Sequence, residues 1–285
     1  MKPFPLPVTG PGSQPPGDED LRVLAFPRDV DAFAMPAVPG GAGAEALAAA
    51  RAALARFHAA FSAWTPGNGS DAPRLDLAGL APAALKVVDE VLGEGEVAIQ
   101  VGGAERYRIQ ESVFAGVWRV CALDADGRLA ADWLEASQVP GAALQAAGRA
   151  AQPRLADVEF PAGVMNAPAL VAEIGQQVAR RSRGDPAHVV NLTLFPLSPD
   201  DHRVLERALP VGPVAMISRG FGNCRVTSTL ARDVWRVQYF NSMNTIILDT
   251  IEVVDVPEVA LAADEDLADS RERLAELIAW MGEPS

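Results

Sequence analysis

"VAMISRGFGNCRVTSTLARDVWRV" occupies residues 214–237, and residues 97–120 read "VAIQVGGAERYRIQESVFAGVWRV". Moving the chain by 117 positions lays one stretch on the other without a gap. Val97 falls on Val214, Gly103 on Gly220, Arg108 on Arg225, Trp118 on Trp235 and Arg119 on Arg236. The match continues outward on both sides. Pro82 meets Pro199, Gly95 meets Gly212, Asp132 meets Asp249, Glu135 meets Glu252 and Pro140 meets Pro257. Self-similarity of this length predicts two copies of one structural unit, at about 75–146 and 192–263. The period is too long for a solenoid. The expected arrangement is a pseudo-twofold pair, packed face to face or side by side.

Each unit has the same predicted grammar. A short apolar strand comes first (about 74–77 and 189–196). A helix then opens at Pro82 or Pro199, because proline fits the first helical turn. Four β-like runs follow; in the second copy they cover 213–218, 224–229, 233–240 and 245–256. "DADG" (124–127) and "NSMN" (241–244) are turn signals between the last two strands. The expected class is therefore α+β, with a helix and a mostly antiparallel sheet of four or five strands per unit. Three amphipathic helices stand outside the repeat. Residues 45–64 place Leu47, Leu54, Phe57, Phe61 and Trp64 on one face. "NAPALVAEIGQQVARRSRG" starts at Asn166 as N-cap and runs out before Gly184. Residues 264–281 carry Leu267, Leu274, Leu277, Ile278 and Met281, with acids in the first turn, where the helix dipole favours them.

Composition narrows the function. The 285 residues carry a formal charge of −13, which disfavours nucleic acid and anionic membrane surfaces. No run of eighteen apolar residues occurs, so no membrane insertion is expected. Residues 1–20 hold six prolines without an apolar signal core and read as a flexible arm. The remainder divides into an N-terminal region (21–150) and a C-terminal region (151–285), each holding one copy. The two cysteines, Cys121 and Cys224, suit reduced thiols in a cytoplasmic protein.

Site motifs are weak. "RGFGNCR" (219–225) lacks the lysine and following helix of a phosphate loop and reads as a hairpin turn. "GAGAEA" (41–46) follows prolines where a dinucleotide fold needs a strand. Cys224 stands between Arg219 and Arg225, cations that lower a thiol pKa. The first copy has Tyr107 at that place, however. His58, His188 and His202 have no metal-binding spacing. A cross-strand pair of Arg119 with Glu135, repeated as Arg236 with Glu252, explains those matches structurally. Trp118 and Trp235 read as one core anchor per unit. No catalytic, cofactor or metal residue is predicted. The expected partner-facing set is Gly220, Gly222, Asn223, Cys224, Arg225, Asn241, Ser242 and Asn244.

Several long segments carry a resemblance. They are residues 222–274, from "GNCRVTSTLARDVWRV" through "ADEDLADSRERL", together with "LRVLAFPRDVDAFAMPAVP" (21–39), "GVMNAPALVAEIG" (163–175) and "HVVNLTLFPLSPDDHRVLERAL" (188–209). They resemble the HupH/HyaF family of [NiFe]-hydrogenase maturation accessory proteins. The resemblance implies a cytoplasmic chaperone-like role and supplies no catalytic residue, and no cofactor is expected. It implies the iron–sulfur small-subunit precursor as client before export, with a thioredoxin-like accessory protein beside it. The first copy departs from the pattern at "AERYRIQESVFAGVWRV" (104–120), so a function of Cys224 would belong to one copy. The alternative is a thiol-dependent enzyme or iron–sulfur carrier built on Cys224 with Asn223, Arg225 and Asn241.

Overall fold

The structure is a computed structural model that describes residues 43–67, 71–219 and 223–283. The proline-rich arm, the segment 21–39, and Gly220 and Gly222 lie outside the described residues. In the first half the chain runs through α1 (Ala44–Ala63), β1 (Arg74–Asp76), α2 (Pro82–Leu92), β2 (Val97–Val101), β3 (Arg106–Glu111), β4 (Val117–Leu123), β5 (Leu129–Ala136) and α3 (Gly141–Ala150). In the second it runs through α4 (Ala167–Arg180), β6 (His188–Asn191), α5 (Pro199–Ala208), β7 (Val211–Ser218), β8 (Asn223–Thr229), β9 (Val234–Phe240), β10 (Ile246–Val253) and α6 (Asp264–Trp280).

All ten strands join one antiparallel sheet in the order β1-β5-β4-β3-β2-β7-β8-β9-β10-β6. Each half supplies five antiparallel strands, within the four or five expected, but the two sets form one continuous sheet and not two. The join is β2 against β7, with Val97 opposite Ser218 and Val101 opposite Val214. Ile99 pairs with Met216, the residue 117 positions further on. The registers also correspond. Trp118 faces Glu135 as Trp235 faces Glu252, and Ile109 faces Val120 as Val226 faces Val237. Gly95 and Gly212 hold matching close approaches. A Cβ at either would collide with backbone, at Ser112 O in one half and Thr229 O in the other.

Side chains alternate between the two faces of the sheet. One face carries a core that crosses the join: Ile99, Ile109, Trp118 and Trp133 with Met216, Val226, Trp235 and Val237. α3 covers it with Ala143, Ala146 and Ala147, aided by Val254, Val256 and Val259. The other face has two separate cores. α1, α2 and α6 close the first over Val117, Leu134 and Ala136. α4 and α5 close the second over Val190, Val234, Ile251 and Val253. The expected stripe of α1 is buried through Leu54, Phe57 and Phe61, and that of α6 through Leu267, Leu274 and Met281. α6 therefore leaves the second half and completes the first.

Two local expectations need correction. β6 ends at Asn191 instead of reaching 196, because a 3-10 turn at Leu192–Leu194 takes over. Asn166 occupies the N-cap of α4, but its side chain makes no capping bond. Asp201 does that work from α5. Its Oδ1 accepts from the amides of Met165, Asn166 and Ala167, each at 2.9 Å. Its Oδ2 accepts from the Ser198 amide and hydroxyl, at 2.9 and 2.7 Å.

Glu111 is a buried carboxyl at the end of β3, accepting from Gly116 N–H at 3.0 Å. Burial pushes its pKa up to about 7, and the charges of Glu96 and Asp266 add to this. Its counterpart is Ser228, which instead ties Val214 N–H at 3.0 Å. Between pH ~4.5 and ~7 the folded state holds a proton that the unfolded state has released, so stability falls as pH rises through that window. Glu111→Gln is expected to raise stability at pH 8 by roughly 1–3 kcal/mol and to have little effect at pH 4.5. Urea midpoints at the two pH values check this. An equal shift at both would exclude the titration.

Candidate functional site

Antiparallel registry brings those predicted partner-facing residues that are described, Asn223 to Arg225 with Asn241, Ser242 and Asn244, to one end of the second half. Asn223 opens β8 opposite Phe240, the last residue of β9, so Asn223 and the turn 241–245 are neighbours. Asn241 Oδ1 accepts from the amides of Met243 and Thr245, at 2.9 and 3.0 Å. Asn244 adopts φ 57°, a left-handed conformation that asparagine tolerates better than most residues. Both asparagines thus have a structural reason to be where they are. Asn223, Ser242 and Asn244 are exposed. Arg225 stacks over Phe240, 5.2 Å from the ring centre.

Cys224 goes elsewhere. Alternation turns it to the face opposite Arg225, into the core with Val226, Val237 and Tyr239, where it is 2 % exposed. Burial pushes its thiol up to about 11; Glu252 contributes, while a hydrogen bond with Tyr239 opposes. A thiol in that state is almost wholly protonated near neutrality and makes a poor nucleophile. The flanking arginines do not activate it. Its burial also withdraws the side chain from any partner surface. Cys121 is half-buried, with Sγ 3.6 Å from Asp132 Oδ1, and burial followed by that carboxylate raises its pKa as well.

The predicted Arg–Glu pairs are corrected to Arg–Asp pairs. Arg119 lies opposite Leu134 and shares its face, so it reaches diagonally to Asp132, with Nε at 3.1 Å and Nη2 at 2.8 Å. It also meets Asp89 of α2. Arg236 binds Asp249 in the same way, at 2.9 and 2.6 Å. Glu135 and Glu252 point to the other face, beside the tryptophans. There Glu135 Oε1 accepts from Gly141 N–H at 2.7 Å and Oε2 from Trp133 Nε1 at 3.3 Å, while Glu252 Oε1 accepts from the Thr250 hydroxyl at 3.2 Å. Trp118 and Trp235 are buried anchors whose indole N–H groups reach Ser137 O and Asp255 O.

An apolar rim near this end escaped the sequence reading. Met243 is 79 % exposed, Ile247 56 % and Leu194 78 %, with Phe195 beside Leu194. Thr193 fastens the rim, its hydroxyl accepting from Asp249 N–H at 2.9 Å. Among the described residues β6 pairs with Thr250–Val253, so residues 246–248 of β10 project past it as a short open edge. In the first half the position matching Leu194 is Leu77, fully buried in the core beneath α1 and α6. Exposed apolar groups beside an open strand edge suit a protein partner. Among the described residues, no group of three His, Cys, Asp or Glu is placed to hold a metal ion, and no helix is long and apolar enough to cross a membrane.

Comparison with known proteins places this geometry in context. The family described as "HupH hydrogenase expression protein, C-terminal conserved region" matches residues 47–157 and again residues 164–281. The hydrogenase expression/formation protein HoxQ of Cupriavidus necator is 42 % identical over 285 residues, 99 % of either chain. HupH of Rhizobium leguminosarum bv. viciae is 47 % identical over 195 residues, 67 % of this chain and 68 % of the relative. The hydrogenase-1 operon protein HyaF of Escherichia coli is 34 % identical over 212 residues, 73 % of each. A solved structure of the hydrogenase expression protein HupH from Thiobacillus denitrificans is 27 % identical, with a TM-score of 0.37, covering 40 % of this chain and 95 % of its own.

Proposed function

The chain belongs to the HupH family of hydrogenase expression proteins, and on that premise we propose that it is a non-enzymatic accessory factor of [NiFe]-hydrogenase maturation. Its client is the iron–sulfur small-subunit precursor, bound in the cytoplasm before export, with a thioredoxin-like protein as a second accessory partner. The observation that carries this reading is the match to a hydrogenase expression/formation protein along 99 % of both chains. The described site supports binding over chemistry. Its one thiol is buried and hard to ionise, whereas its exposed groups are an apolar rim and a free strand edge.

The two halves are read as copies of one unit. Support comes from the strand order, the registers 117 residues apart and the two separate family matches. Joining copies edge to edge doubles the surface without adding reactive groups. The charge of −13 favours a basic client segment such as an arginine-bearing export signal and speeds its capture.

The second reading, a thiol enzyme or iron–sulfur carrier on Cys224, is separated by one substitution. In cells lacking the gene, hydrogenase activity should be lost and should return with the wild-type chain. Cys224→Ser should restore it equally. Failure of that variant to restore activity, with an unchanged melting curve, would favour the thiol.

A further inference from the structure

The two halves differ at the turn before their Val-Trp-Arg-Val strands. In the first half this turn holds Gly116, φ +75°, and Leu267 of α6 packs so tightly against it that any side chain there would collide with the leucine. Leu267 follows Asp264, Glu265 and Asp266. In the second half the matching residue is Asp233, also left-handed at φ 58°, a conformation that side chains other than asparagine and aspartate rarely adopt. Beside it the molecule is open, with a cleft of about 290 Å³. Small residues of the α3 end, Ala147, Gly148 and Ala151, leave this space, and Val234 and Trp235 form the opposite wall.

The mouth of the cleft is charged against the trend of the chain. Arg183 and Arg232 line it, and both are exposed. Asp255 is already engaged, accepting from Arg181 Nη2 at 3.1 Å and from Gly184 N–H at 2.8 Å. Asp233 lies 3.8 Å from Arg232 Nε. Two exposed guanidinium groups thus face one carboxylate not otherwise engaged, on a protein whose net charge is −13.

We infer that this cleft is a docking socket for a partner-protein segment presenting a large aliphatic side chain preceded by carboxylates. That is the pattern α6 offers to the first half. The aliphatic group enters between α3 and Trp235 while the carboxylates meet Arg183 and Arg232. Asp233 carries a side chain at the position where Leu267 packs over its glycine counterpart. The socket is separate from the apolar rim at β10 and does not depend on the identity of the hydrogenase client.

The test uses the full chain and a labelled synthetic peptide of residues 264–274, read by fluorescence anisotropy. Wild type should bind it, more tightly at low salt. Arg183→Glu combined with Arg232→Glu should weaken binding at least tenfold, and Ala151→Phe, which fills the cleft, should do the same. Peptides with Leu267→Asn, or with Asp264, Glu265 and Asp266 made into their amides, should also bind at least tenfold more weakly. Thermal melts establish that each variant is folded; if Ala151→Phe is not, the surface arginine pair decides. No binding by wild type would overturn the proposal. So would equal binding by the arginine variant, which would mean that the peptide displaces α6 or sits elsewhere.

Discussion

Ending the chain at Ala263 is expected to abolish cooperative folding of the first half. α6 supplies Leu267, Leu274 and Met281 to the core formed with Leu54, Phe57, Val117 and Leu134. Polar ties reinforce it. Ser270 Oγ donates to Ala115 O at 2.9 Å, Arg271 Nη2 to Trp64 O at 3.1 Å and Arg51 Nε to Ile278 O at 3.0 Å. Removing one buried leucine costs about 2–5 kcal/mol. Two such leucines and a methionine together approach the ~5–15 kcal/mol that holds a typical domain. The truncated chain should lack a sharp thermal transition, while Leu274→Ala in the full chain should lose about 3 kcal/mol by urea midpoint. A truncated chain that melts like wild type would show that α6 is dispensable to the fold.

Asp201→Ala is expected to cost about 4 kcal/mol, since charge-assisted hydrogen bonds are worth ~1.5–3 kcal/mol each and several are lost together. The carboxylate is 0 % exposed and serves two helices at once. Burial disfavours its charge, but hydrogen bonds from Ala167 N–H, Ser198 and Asn166 N–H outweigh that and hold its carboxyl well below the usual carboxylate range. For an acid with a lowered folded-state pKa, the stabilisation is present above the ordinary value near pH 4 and is lost as pH falls toward the folded value. The cost of Asp201→Ala should therefore be full at pH 7 and smaller near pH 3. Urea titration at both pH values reads it directly. A cost below about 1 kcal/mol at pH 7 would mean that water replaces the carboxylate at these amides.

Local chemistry made much of the fold legible. β-branched runs such as "TIILDTIEVVDV" and the turns at 124–127 and 241–244 placed β4, β5, β9 and β10, and prolines 82 and 199 placed α2 and α5. What escaped depends on contacts distant in sequence. Nothing local to Val97–Val101 says that it will pair with Val211–Ser218, because that pairing depends on residues far away in the sequence. The return of α6 to the first half is hidden for the same reason. "SPDD" at 198–201 shows a capping box for α5, but not that Asp201 also caps α4, 34–36 residues earlier in the chain. The Arg–Glu pairing failed by one residue. Registry parity decides the face of a sheet, and Asp132 and Asp249 share the face of the arginines.

The site was legible in the same uneven way. Turn chemistry placed Asn241 and Asn244, and antiparallel pairing brought Asn223 beside them. The burial of Cys224 followed from strand parity that the flanking glycines obscured. The apolar rim of Leu194, Met243 and Ile247 had no signal of its own. Leucines at 77 and 194 match in sequence, yet only tertiary structure shows that one is covered and the other is not.

The proposed function is binding instead of chemistry, and one measurement tests it directly. The purified chain is passed over immobilised hydrogenase small-subunit precursor, with and without its export peptide, by interferometry. The expected result is a saturable complex with the precursor, an association rate that falls as salt rises, and the same affinity for Cys224→Ser. A chain that melts normally yet forms no saturable complex, or one whose binding requires the thiol, would contradict it.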